Sequence, residues 1–294
     1  MLTRVLFVLC LAAATGLPGF ATEDSWEEIH SEMREVLAGL SAEYFGVKRK
    51  KVELPDCCTN GNGQPAAPWM IVVGFTGGVE SSESDVSGVV AMNRVLDGNV
   101  RSEVLLLTYN NFRWRRAASE VAAIAEAARR AQGSLPGIRQ PLIVVHGHSW
   151  GATSVSKFAE RLKGAGLETS LAIYIDAFSW RNPQVPGNVR YAVNFYQRAG
   201  VLRGLPMRGK SKLIAQDESK TQILGSYRIS PQTDHWGWSW NLLQPLLYRQ
   251  HHRVAHDHRL RAYLLEIVNL KFDLLEKANG GAEVASDAAP SAVF

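Results

Sequence analysis

Short apolar runs alternate with longer amphipathic stretches along the middle of the chain. Each run contains five to seven residues and has no regular polar face, which is typical of strands buried on both sides of a sheet. We therefore predict five strands, at Trp69–Gly74, Val104–Thr108, Pro141–His146, Leu171–Ile175 and Val189–Phe195.

The segments between these strands carry apolar residues at helical spacing. The predicted helices cover 84–97, 115–132 and 151–164, and the last two end near Gly133 and Gly164, as helices commonly do. Strand and helix in alternation predict an α/β fold, in which a doubly wound, mostly parallel sheet is flanked by helices on both faces.

Two further amphipathic helices are predicted nearer the ends of the chain. One covers 24–46, and a longer one covers 257–277 and should pack against the sheet. The segment 200–250, with its tryptophan cluster, follows neither period and receives no assignment. The small, polar residues of 278–294 predict a disordered tail.

The first 21 residues are typical of a secretory signal peptide. A basic start at Arg4 precedes the apolar stretch 5–14 and a small-residue exit. Ten apolar residues are too few to span a bilayer, which takes roughly 20. We expect cleavage near Thr22 and a secreted or periplasmic domain over 22–277 that is not an integral membrane protein.

Composition narrows the functional classes. With 46% hydrophobic and 20% charged residues the chain can bury one large core, and its net charge of +4 is dispersed, so no nucleic-acid partner is expected.

Cys57 and Cys58 are adjacent in a turn-rich segment. A strained bridge between them, bonds to other chains and two free thiols all remain open, but metal ligands are lacking nearby.

One motif carries a specific chemical expectation. Gly147-His148-Ser149-Trp150-Gly151 directly follows an apolar strand and directly precedes a helix-compatible run. Flanking glycines permit a sharp strand-to-helix turn that projects the serine beyond the sheet, where the helix N-terminus favours negative charge. Ser149 is the candidate nucleophile; the alternative is a tight turn whose glycines serve packing alone.

Over residues 65–277 the chain resembles the α/β-hydrolase superfamily, and within it the lipase and esterase branch. The elbow around Ser149 is the most specific part of the likeness. The resemblance implies an oxyanion hole made by the backbone N–H groups of Trp150 and Phe75, with Thr76 as the second choice. Val73 stands where the family usually has histidine, and the Gly77-Gly78 pair is otherwise a flexible connection.

The candidate acid is Asp176, which ends the strand after the nucleophile's helix. It should therefore emerge at the same sheet edge as Ser149. The resemblance implies the chain order Ser, Asp, His, with the acid after this earlier strand as in a subset of lipases. Asp217 and Asp234 remain open, as does a merely structural role for Asp176.

The candidate base is His251, which precedes the predicted final helix as the resemblance requires. His235, beside Asp234, is the alternative base. The four histidines of 251–258 could also bind a metal, since imidazoles four residues apart share a helix face. No His-Glu-x-x-His pattern accompanies them, so neither metal nor cofactor is expected.

Together these features predict an exported serine hydrolase that cleaves carboxylic esters, of small molecules or lipids, through an acyl-enzyme on Ser149. An amidase, thioesterase or acyltransferase could use the same three residues. A protein of this fold that binds a ligand without catalysis is the remaining alternative.

Overall fold

A computed structural model describes residues 70–99, 104–131, 141–198, 209–230 and 251–269. Its strands are β1 Met70–Thr76, β2 Val104–Asn110, β3 Leu142–His148, β4 Thr169–Ile175, β5 Gln184–Val185, β6 Val189–Tyr196, β7 Ile214–Ala215 and β8 Gln222–Arg228. Six of them form the central sheet in the order β2-β1-β3-β4-β6-β8, parallel throughout, and β5 and β7 form a two-stranded ladder beside it.

Helices connect the strands and cover both faces of the sheet. They are α1 Gly88–Asp97, α2 Trp114–Ala131, α3 Trp150–Lys163, a short α4 at 251–255 and α5 at 258–269, with one 3-10 turn at Asn111–Arg113. One buried cluster joins β-strand residues to α1 and α5, and a second joins them to α2 and α3. The doubly wound parallel α/β architecture is confirmed.

The apolar runs located the central strands well. All five predicted strands are present, and their ends move by at most two residues. The sequence missed β8, which lies at the sheet edge beyond β6 and is mostly half-buried. Its seven residues include glutamine, glycine, serine and arginine, so it lacks the continuous apolar run by which the other long strands were predicted.

The predicted helices need small corrections. The helix expected over 84–97 begins only at Gly88, because turns occupy the preceding residues. The helix expected over 257–277 is present as α5 as far as the structure describes it, and α4 adds a short helical turn ahead of it.

Several predictions fall outside the described residues. They are the signal peptide 1–21, the helix 24–46, the two cysteines, His235 with Asp234, the tryptophan cluster and the tail 278–294. Within the described part of the chain, no helix combines the length and apolarity that a membrane crossing requires.

Candidate active site

Ser149 occupies a sharp bend between β3 and α3. Its backbone has φ 59° and ψ −121°, outside the regions that residues with a side chain prefer. A Cβ added to Gly147 would lie 2.5 Å from the carbonyl oxygen of Gly151, and one added to Gly151 would lie 2.2 Å from that of Phe75. Only glycine fits at both flanking positions, so the motif forms the tight elbow that the sequence predicted.

Backbone hydrogen bonds fix the elbow to the next strand. The N–H of Ser149 donates to the carbonyl of Ile175 at 3.0 Å. The carbonyl of Ser149 accepts from the N–H of Ala152 at 3.1 Å and from that of Phe178 at 3.2 Å. The bend is therefore held against the end of β4 and the loop that follows it.

Asp176 and His251 form a buried pair at that same edge. Asp176 directly follows β4, and its Oδ2 lies 2.7 Å from Nδ1 of His251, 75 residues along the chain. The side chains are 0% and 2% exposed. A carboxylate accepts, so Nδ1 carries the proton and the lone pair of the neutral ring lies on Nε2. This is the tautomer that a general base needs.

Two residues that the sequence reasoning missed surround the carboxylate of Asp176. Gln197 donates its backbone N–H to Oδ1 and its side-chain Nε2–H to Oδ2, both at 3.2 Å. A Cβ on Gly209 would lie only 1.9 Å from Oδ1. Gln197 follows β6, the neighbour of β4 in the sheet. Its place just after the predicted strand Val189–Phe195 was the one signal in the sequence that pointed to it.

His148 supports His251 from behind. The two ring centroids are 4.6 Å apart, and Nε2 of His148 lies 2.9 Å from the carbonyl oxygen of His251. Burial lowers the pKa of His148 well below 6.5, and the neighbouring His251 and His252 add to this effect. The neutral ring must therefore donate from Nε2 to that carbonyl. His148 fixes the backbone of the candidate base without adding a charge.

Ser149 and His251 are 4% and 2% exposed, and no hydrogen bond joins them. Within the described residues, Nε2 of His251 is buried and has no hydrogen-bond partner. Phe178 connects the two residues, since its N–H bonds to the carbonyl of Ser149 and its ring centroid is 6.4 Å from that of His251. Catalytic hydrogen bonds often tighten only when substrate is bound.

The three predicted and neighbouring oxyanion candidates differ in their place relative to the sheet. Phe75 has a ladder partner on each side, Tyr109 in β2 and Gly147 in β3. Thr76 is still paired with β2. Gly77 is the first residue beyond the strand, and a Cβ added there would lie 3.2 Å from Cβ of Ser149.

The loop after β1 is held in place by Glu80. Its backbone carbonyl accepts from Oγ1 of Thr76 at 2.8 Å and from Nδ2 of Asn110 at 2.6 Å. Its carboxylate is 16% exposed and lies 3.7 Å from Nδ1 of His252. Burial raises the pKa of Glu80, while hydrogen bonding and the charge of nearby His251 act in the opposite direction.

The other candidate residues take different positions. Asp217 binds Ser219 and Lys220 beside β7. His256 contacts the carbonyl of Val86 and the guanidinium of Arg261. Among the described residues, no three His, Cys, Asp or Glu side chains are grouped so that they could hold a metal ion.

No family model and no curated protein sequence matches the chain. Among solved structures, an arylesterase is similar with 12% identity and a TM-score of 0.37, covering 92% of this chain and 98% of that one. A cutinase-like protein from Cryptococcus sp. has 12% identity and a TM-score of 0.32, with 71% and 96% covered. An esterase/lipase from an uncultured bacterium has 13% identity and a TM-score of 0.29, with 94% and 98% covered.

Proposed function

We propose that this protein is a serine hydrolase of the α/β-hydrolase type that cleaves carboxylic esters through an acyl-enzyme on Ser149. The observation that carries the proposal is the buried hydrogen bond between His251 and Asp176 at the edge where the strained elbow presents Ser149. A carboxylate, an imidazole and a serine in this arrangement make the serine a nucleophile.

The reaction begins with a proton transfer. His251 accepts the hydroxyl proton of Ser149 on Nε2 while Oγ attacks the ester carbonyl carbon. Asp176 keeps the proton on Nδ1 and stabilises the imidazolium that forms. His251 then donates the Nε2 proton to the leaving alkoxide as the bond between carbon and alcohol oxygen breaks. In the second half, His251 takes a proton from water, whose oxygen attacks the acyl carbon. As the bond between that carbon and Oγ breaks, His251 returns the proton to Oγ of Ser149 and the carboxylic acid leaves.

Two backbone N–H groups are the proposed donors to the oxyanion. Trp150 is the first residue of α3, so its N–H has no partner within the helix. We propose Gly77 in place of Phe75 as the second donor because it is the first residue beyond the β1 ladder and a Cβ added to it would lie 3.2 Å from Cβ of Ser149. Each such donor typically contributes about 10²–10³ in rate.

The deciding experiment combines labelling with a fluorophosphonate probe and hydrolysis of p-nitrophenyl acetate. Wild type should label and turn over, and Ser149→Ala should do neither. His251→Ala should lose both, whereas His235→Ala should retain them. Ser119→Ala is the matched control, because this exposed serine bonds only to its own helix in the described contacts.

Four outcomes would overturn the proposal or change the assigned reaction. Equal labelling of wild type and Ser149→Ala would remove Ser149 as nucleophile. Loss of labelling in His235→Ala but not in His251→Ala would remove His251 as base. Failure of wild type to label at all would instead favour a binding protein of the same fold. Turnover of amides or thioesters in preference to esters would assign the triad to an amidase or thioesterase.

We also propose that the protein is exported and that residues 1–21 are removed. The support is the basic start and ten-residue apolar stretch of the sequence. Determining the N-terminus of the protein made with its full leader in its own host tests this. A mature chain that begins near Thr22 is expected, and an intact Met1 in the cytoplasm would contradict the proposal.

A further inference from the structure

A row of aromatic rings runs outward from the candidate base. The ring centroid of Phe178 is 6.4 Å from that of His251, that of Trp150 is 6.5 Å from Phe178, and that of Phe112 is 6.5 Å from Trp150. We call the rings of Phe178, Trp150 and Phe112 the aromatic row. It leads from the buried ring of His251 to rings that are exposed at the protein surface.

The aromatic row becomes more exposed with distance from His251. Phe178 is half-buried, Trp150 is 41% exposed and Phe112 is 64% exposed. Single exposed apolar side chains are ordinary, but contiguous ones beside a nucleophile are typical of a ligand-binding surface. The backbone that carries the outer ring is held in place, since the N–H of Phe112 donates to Oδ1 of Asn110 at 2.9 Å.

From this geometry, and resting on the proposed function, we infer that the aromatic row binds the acyl group and that the substrates are esters of medium-length apolar acids. The leaving alcohol departs after the first half of the reaction, whereas the acyl carbon stays bonded to Oγ of Ser149. Trp150, the next residue, belongs to the aromatic row and is followed in it by Phe112. The acyl group is therefore the part of the substrate that remains beside these rings.

Chain-length dependence at a fixed leaving group tests this inference. The probes are p-nitrophenyl acetate, butyrate, hexanoate and octanoate, each below its solubility limit, with kcat/KM as the readout. Since burying a methylene is worth about 0.8 kcal/mol, kcat/KM should rise by up to about fourfold per methylene. Phe112→Ser should lower the octanoate-to-acetate ratio about tenfold.

The control is Trp180→Ser, which removes an apolar ring of greater exposure. Trp180 is fully exposed, and no ring contact joins it to the aromatic row in the described part of the chain. Its octanoate-to-acetate ratio should equal that of wild type. Because each ratio is measured on one enzyme preparation, partial unfolding of a variant cancels.

Three results would overturn the inference. The first is a flat acyl series in wild type, and the second is an equal loss of ratio in Phe112→Ser and Trp180→Ser. The third is a kcat/KM that rises more steeply along ethyl, butyl and hexyl acetate than along the acyl series, which would show that the alcohol group binds the aromatic row. Failure of the proposed function is distinguishable, because acetate hydrolysis would then persist in Ser149→Ala.

Discussion

Ser149 and Asp176 are the two non-glycine residues with positive φ in the described part of the chain, at 59° and 44°. Each directly follows a parallel strand, and the N–H of Ser149 bonds to the residue just before Asp176. Backbone conformations of this kind cost on the order of 1–3 kcal/mol each and concentrate at functional sites. The strain therefore marks the same two residues that the proposed chemistry requires.

Relief of this strain should be measurable without any activity assay. Ser149→Gly is expected to be about 1 kcal/mol more stable to unfolding than Ser149→Ala, because glycine tolerates positive φ. The matched pair at Ser156, inside α3, should show the opposite sign, since glycine is about 1 kcal/mol worse than alanine in a helix. Urea unfolding of the four variants gives the comparison. If the glycine and alanine variants had the same order of stability at both positions, the strained elbow would be contradicted.

Asp176→Asn should abolish most of the activity while the protein stays folded. The amide can present an N–H where the carboxylate accepted from Nδ1 of His251, so the ring is no longer held in the tautomer that leaves Nε2 free. A decrease in kcat of about 10⁴ is expected. Asp85→Asn, at a carboxylate that is 82% exposed and paired with Arg94, should keep wild-type kcat. Less than a tenfold loss in Asp176→Asn would remove Asp176 from the mechanism.

Gln197 should act as a positioning residue through Asp176. Gln197→Met keeps the length of the side chain but removes the donor to Oδ2. Hydrogen bonds to charged groups are worth about 1.5–3 kcal/mol, so kcat should fall by about one to two orders of magnitude while KM changes little. Gln184→Met, at an exposed glutamine, is the control. A rise in KM at constant kcat would assign Gln197 to substrate binding instead.

Gly209 should tolerate no side chain. In Gly209→Ala the new Cβ would meet Oδ1 of Asp176 at 1.9 Å, so either the backbone or the carboxylate must move. We expect a loss of about 1–3 kcal/mol in unfolding free energy together with reduced kcat. In Gly98→Ala the nearest atom is 3.8 Å away, and wild-type kcat should be retained. Full activity in Gly209→Ala would show that the two residues are not in contact.

His146 should make the fold sensitive to acid. Its Nε2 bonds to Oδ1 of Asn93 at 2.8 Å, and burial lowers its pKa from 6.5 to about 4. The neutral form is favoured by folding, so its contribution is complete above pH 6.5 and is lost as pH falls towards 4. The loss is on the order of 3 kcal/mol. In His146→Gln the unfolding free energy should depend less on pH between 6.5 and 4 than in wild type. Parallel plots of unfolding free energy against pH for the two proteins would contradict this.

The elements could be predicted because their signals are local. The run Leu142–Val145 and the glycines at 147 and 151 gave the third strand and the elbow directly. The position of Phe75 relative to Ser149 could not be predicted from neighbouring residues, because it depends on how far β1 continues before the chain leaves the sheet. The strand extends two residues beyond its apolar run, so Gly77 is the first residue after it, which is why we propose Gly77 as a donor in place of Phe75.

The sequence by itself determined the alternation of strands and helices, the position of the elbow and the carboxylate that ends β4. These depend on apolar periodicity and glycine sterics within a few residues. Only the tertiary structure decided that His251 meets Asp176 and that Gln197 and Gly209 enclose the carboxylate. Those contacts join segments far apart in the chain. They form because the lateral order of the strands brings these segments together, and that order is set by burial of the whole sheet.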